Sequence, residues 1–255
     1  MHCSAAFTGN DHRDNRATTR GNLYMTQPPA ALDHVLARTR HLLIDFDGPI
    51  CDFYPGQSTR AVADQLREQL RDQDVAVPDD IARSGSPIEV LAYSATVSPD
   101  LAASIEAELT SLEVTAATSA IPSAHVPDFL IACRDSGRTV TVTSPSSTPA
   151  IDVYLARHDL GNLVNRVIGR IGHSPDLSTS PVDLIELAVD TLHAEPSTCT
   201  MLSGSPVVLE SAHATGIASI GYASKAGEHE QLATAGFGAI ATSLADLTLR
   251  LRAKS

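Results

Sequence analysis

With 255 residues, the chain has room for one large domain or for a core carrying a smaller insertion. Its 30 acidic against 18 basic residues leave a net charge of −12, which argues against nucleic acid and anionic membrane as general partners; 4% aromatic residues and no Trp leave little material for base stacking. Cys3, Cys51, Cys133 and Cys199 are scattered without a CxxC pair, and the ten histidines form no HxH or HExxH pattern, so neither a disulfide framework nor a zinc site is indicated. No apolar run approaches the ~20 residues that span a bilayer, and the expected setting is a reducing cytoplasm.

Residues 1–24 are polar, lack hydrophobic periodicity and lack the apolar core of a secretory signal. They read as a disordered extension ahead of a natural start at Met25-Thr26-Gln27-Pro28-Pro29. Residues 30–40 make a short helix or turn. The segment 41–52, HLLIDFDGPICD, is the first chemical landmark. Leu42, Leu43 and Ile44 form a short strand apolar on both faces, as in a parallel sheet, and it runs into Asp45, Phe46, Asp47 and Gly48. Side chains in a strand repeat every second residue, so Asp45 and Asp47 point the same way. Two neighbouring carboxylates repel, and positive charge, a shared proton or a divalent cation has to compensate. Taken alone, the same residues are equally an acidic strand end followed by an ordinary Asp-Gly turn.

After a turn at 53–56, residues 58–73 place Val62, Leu66 and Leu70 on one helical face, with Ser58 or Thr59 as cap. Residues 79–83, 87–96 and 99–117 are three more helical stretches, the last with Leu101, Ile105, Leu109 and Leu112 at helical spacing. The block 55–122 is therefore a small helical bundle with no strand, inserted between the first and second strands. Helical insertions at such places close over active sites and exclude water. From Val126 onward, helices at 127–136, 148–158, 181–192, 206–214, 228–235 and 244–253 alternate with strands at 138–143, 164–169, 199–202, 217–222 and 238–242. That alternation predicts an α/β fold, a Rossmann-like parallel sheet covered on both faces. The expected division is an α/β core of 25–54 and 123–255 carrying a helical cap of 55–122.

A strand ending in DFDG, a helical insertion and a second strand ending at Thr143 together resemble the haloacid dehalogenase (HAD) superfamily. The likeness is to the helical-cap subfamily that includes phosphoglycolate phosphatase-like and β-phosphoglucomutase-like enzymes, and it covers roughly residues 38–250. The resemblance implies phosphomonoester hydrolysis of a small phosphorylated metabolite. Asp45 would be the nucleophile that forms an aspartyl-phosphate, and Asp47 the general acid and base. Thr143 and the amide of Ser144 would bind the phosphoryl oxygens. A magnesium ion (Mg2+) would be held by Asp45 and by Asp47 through its carbonyl.

Two family motifs depart. Ser178 stands where a lysine is expected, and Gly204 and Val208 replace two acids, the first of which would ligate magnesium. Phosphoryl transfer depends on positioning and charge stabilisation, so these losses weaken the implied site. Glu210, Lys225, Arg170, His173 and Asp176 are candidate replacements, each with the plain alternative of a surface residue. Arg60, Arg67 and Arg83 are candidates for contacting an anionic substrate from the cap. Two functions stand open: a HAD-type phosphatase, and a catalytically impaired relative that binds a phosphorylated ligand or a protein partner. A metal-free dehalogenase also uses an aspartate nucleophile, but it needs the same missing lysine and has no second aspartate at the place of Asp47.

Overall fold

A computed structural model describes residues 30–55, 58–170 and 180–253. The expected extension of 1–24, the start at Met25, and Cys3, His173, Asp176 and Ser178 lie outside the described residues. The chain begins with α1 (Ala30–Arg38) and β1 (His41–Asp45), then β2 (Cys51–Asp52). Four helices follow: α2 (Thr59–Asp72), α3 (Asp79–Arg83), α4 (Pro87–Val97) and α5 (Pro99–Ser119). After β3 (Ile121–Pro122) come α6 (Val126–Asp135), β4 (Thr139–Ser147), α7 (Thr148–Arg157), β5 (Arg166–Arg170) and α8 (Pro181–Leu192). The chain closes with β6 (Cys199–Ser203), α9 (Pro206–Ala214), β7 (Ala218–Tyr222), α10 (Glu228–Thr234), β8 (Ile240–Ala241) and α11 (Leu244–Arg252).

Among the described residues, six strands form one parallel sheet in the order β5-β4-β1-β6-β7-β8. Counting only these strands along the chain, the order is 3-2-1-4-5-6, the doubly wound arrangement whose direction reverses at the first strand. β1 is buried on both faces as its sequence requires: Leu42 and Ile44 join one apolar cluster, Leu43 the other. Ligands of open α/β sheets bind outside the carboxyl ends of the strands where the order reverses. That place is the end of β1, and it is occupied by Asp45.

Helices α2 to α5 hold a cluster of their own, with Val62, Leu66 and Leu70 of α2 against Val90 of α4 and Leu101, Ile105 and Leu109 of α5. Local chemistry starts these helices. Ser58, Ser86 and Ser98 each accept a backbone N–H of the first turn, and Pro87 and Pro99 occupy the first helical position, where a missing N–H costs nothing. The helical block was expected to contain no strand, and here the structure differs. β2 and β3 pair antiparallel, Cys51 with Pro122 and Asp52 with Ile121, and tie together the two chain segments that enter and leave the block. Two-residue strands carry no alternation to read, and Pro122 is tolerated because the ribbon has free edges. β4 also runs past its expected end, with a register shift between Thr143 and Ser147.

The cysteines among the described residues, Cys51, Cys133 and Cys199, are free and buried. Burial pushes the Cys133 thiol up to about 12, so it packs as a neutral small apolar group. No helix among the described residues is long and apolar enough to cross a membrane.

Candidate active site

Asp45 is the last residue of β1 and pairs with Thr143 of β4, while the Phe46 N–H donates to the Thr143 carbonyl at 3.1 Å. On the other side β6 ends at Ser203, whose wholly buried hydroxyl donates to Asp45 Oδ2 at 2.7 Å. The same hydroxyl accepts the Ser205 N–H at 3.0 Å, so its orientation is fixed from behind. Beyond Asp45 the chain turns sharply. Gly48 has φ +94°, a left-handed conformation suited to glycine, and its N–H donates to the Cys51 carbonyl at 2.7 Å. The Ser123 hydroxyl clamps the turn by donating to the Gly48 carbonyl at 2.5 Å. Phe46 packs fully into the core between Phe53 and Tyr154, which leaves Asp45 and Asp47 facing one cavity. Asp47 Oδ1 accepts the Phe53 N–H at 3.1 Å.

Both acids are shifted. Burial pushes the Asp45 carboxyl up to about 7; the Ser203 hydrogen bond pulls it down, the Asp47 charge raises it, and the Phe46 backbone pulls it down. Asp47 is also raised, first by burial and then by Asp52, with the Phe53 N–H and the Lys225 charge acting against the rise.

The cavity above them measures about 570 Å³. Its floor is Asp45, Asp47, Thr143 and Ser144; its roof comes from the helical block through Gly85, Ser86, Pro87, Ile88 and Glu113; Gly204, Val208, Lys225 and Glu228 line the rim. Thr143 and Ser144 are nearly fully buried. The Thr143 hydroxyl lies 3.9 Å from the Met201 sulfur, and the Ser144 hydroxyl accepts the Ser146 N–H at 3.0 Å. All four residues expected at the site are thus brought together.

No family model matches the sequence, and no curated protein is similar to it. Solved structures are similar in fold. A predicted phosphatase from Clostridium acetobutylicum matches with TM-score 0.61 and 18% identity over 84% of this chain and 99% of its own. A predicted phosphoglycolate phosphatase from Haemophilus somnus 129PT matches with TM-score 0.58 and 14% identity, covering 86% and 99%. A haloacid dehalogenase-like hydrolase from Streptococcus pneumoniae matches with TM-score 0.55 and 16% identity, covering 83% and 97%. The chain has the haloacid dehalogenase fold.

Within this HAD fold, the residues that would hold magnesium do not form a set. Gly204 and Val208 line the cavity at the end of β6, and neither offers a ligand side chain. Gly204 is also sterically committed: a Cβ there would lie 3.1 Å from the Tyr222 carbonyl. Among the described residues, no group of three or more His, Cys, Asp or Glu side chains is placed to hold a metal ion. The Asp45 and Asp47 pair is further occupied by Ser203 and by the Phe53 amide. The residues present therefore do not fit the magnesium site that the resemblance implies, which needs an acid in the place of Gly204.

The candidate replacements fare differently. Glu210 is exposed and does not line the cavity. Arg170 is neither a surface arginine nor a lining residue of the cavity. Its side chain is 2% exposed, and it donates to Glu106 at 2.7 Å, to both oxygens of Glu113 at 3.1 and 2.8 Å, and to the Pro145 carbonyl at 2.8 Å. Glu106 and Glu113 lie seven residues apart, two turns along α5, and therefore share the face that carries Leu109. Acids on an apolar helical stripe were the available signal for a buried cation. Arg67, a candidate for contacting an anionic substrate from the cap, is also buried, held by Asp64 and the carbonyls of Ile81 and Ser84. Arg60 donates to the Arg83 carbonyl, and Arg83 pairs with Asp79 at 3.8 Å. None of the three lines the cavity. Lys225 does.

Proposed function

We propose that the protein is a HAD-type hydrolase acting on a small phosphomonoester, with Asp45 as nucleophile, Asp47 as acid and base, and helices α2 to α5 as the cap. The observation that carries this reading is the Asp45–Asp47 pair at the reversal point of the sheet, lining a cavity of about 570 Å³. With Oδ2 tied to Ser203, Oδ1 is the oxygen left to attack phosphorus. The new Oδ1–P bond forms as the P–O bond to the alcohol breaks, and Asp47 gives its proton to the departing alkoxide. Asp47 then takes a proton from water, whose oxygen attacks phosphorus; the Oδ1–P bond breaks, and inorganic phosphate and the Asp45 carboxylate are regenerated. The raised proton affinity of Asp47 suits both roles. Thr143 and Ser144, on the floor beside Asp45, are the groups to orient the phosphoryl oxygens.

The test is phosphate release from p-nitrophenyl phosphate and a panel of sugar and short-chain acid phosphates. Wild-type turnover should fall by at least ~10³-fold in Asp45→Asn. A panel without turnover overturns the hydrolase reading. A second reading, a member that binds a phosphorylated ligand without turnover, rests on Gly204 and Val208 at the places of acids; it predicts saturable ligand binding with no product.

A further inference from the structure

The charge balance of the cavity is unusual for a site that takes a phosphate. Five carboxylates line it, those of Asp45, Asp47, Asp52, Glu113 and Glu228. Among the described residues, one cationic side chain lines it, that of Lys225. Arg170 is shared between Glu106 and Glu113, so of the five acids Glu113 already has a cationic partner.

Lys225 is held where an anion would arrive. It follows β7 at the carboxyl edge of the sheet, beside the strand that ends in Ser203. Its N–H donates to Glu228 Oε2 at 2.8 Å, and the Glu228 N–H returns to the Lys225 carbonyl at 3.3 Å, so two reciprocal bonds fix the loop. The ammonium makes no ion pair among the described residues, although five carboxylates line the same cavity. Its field nonetheless reaches Asp47. An unpaired cation that shares its cavity with Asp45 and Asp47, in a site without the acid expected at Gly204, has one evident task.

We propose that Lys225 is the anion-binding group of this cavity, and that the site engages a phosphoryl group through it without a divalent metal. This rests on the phosphomonoester reading for its ligand class. It takes the missing charge from a strand end remote in sequence from Ser178.

The test separates binding from turnover. Inorganic phosphate is titrated by calorimetry, in metal-free buffer, into Asp45→Asn, where one acid is removed and no chemistry occurs. Binding should weaken about tenfold when Lys225→Gln is added and return to within about threefold with Lys225→Arg. Because Lys225 is exposed, its variants should melt with their parent, which excludes misfolding as the cause. In the otherwise wild-type protein, Lys225→Gln should raise KM for p-nitrophenyl phosphate more than it lowers kcat, and EDTA should leave turnover unchanged. Equal phosphate affinity with and without Lys225, phosphate binding that requires added magnesium, or turnover abolished by EDTA would overturn the proposal. Lys225-dependent phosphate binding in a protein without turnover would instead sustain it and sink the hydrolase reading.

Discussion

Asp45 places a carboxyl where charge is penalised, and that penalty is measurable. Its proton affinity rises from an ordinary carboxylate value to about 7, chiefly through burial. Between about pH 4 and pH 7 the folded chain therefore holds a proton that the unfolded chain has released, and stability falls as pH rises through that window. Asp45→Asn removes the effect. It should match wild type near pH 4 and exceed it by about 2–4 kcal/mol at pH 8 in urea unfolding. The same group sets the rate profile: attack needs the ionised carboxylate, so kcat/KM should fall on the acid side of about pH 7. The acids themselves were legible because strand period and the DFDG motif are local. Their partner Ser203 was not, because it stands 158 residues away along the chain.

At the scale of elements, α5 is joined to the sheet by the buried Arg170 network at the end of β5. Glu113 also accepts the Ser147 N–H at 2.8 Å, so one carboxylate binds the helical block to both β4 and β5. Removing the arginine strands two buried acids. Arg170→Met should cost about 3–5 kcal/mol in urea unfolding, far more than Arg134→Met, whose ion pair with Asp135 is exposed. Most element starts could be read directly. The Ser-Pro pairs at 86–87, 98–99, 180–181 and 205–206 each supply a cap and a first-turn proline. The β2–β3 ribbon could not, since two residues have no period and their pairing joins segments about seventy residues apart.

For the whole molecule, the metal question reduces to linkage. A ligand that binds the folded state raises its melting temperature, and one that does not leaves it unchanged. Millimolar magnesium should leave the melting curve where it is, while millimolar phosphate raises it; a magnesium shift lost in Asp45→Asn would contradict the donor set described above. The sequence by itself determined the alternation of strands and helices, the helical insertion, and the position of Asp45 and Asp47 at a strand end. It could do so because periodicity, capping and turn chemistry act over a few residues. Only the tertiary structure decided that Arg170 is a buried strut and that Gly204 lies too close to Tyr222 to carry a side chain with ease. It also placed Lys225 as the one cation on the cavity wall among the described residues. These outcomes follow from the sheet order β5-β4-β1-β6-β7-β8, which sets residues from distant segments side by side and fixes which charges share a desolvated space.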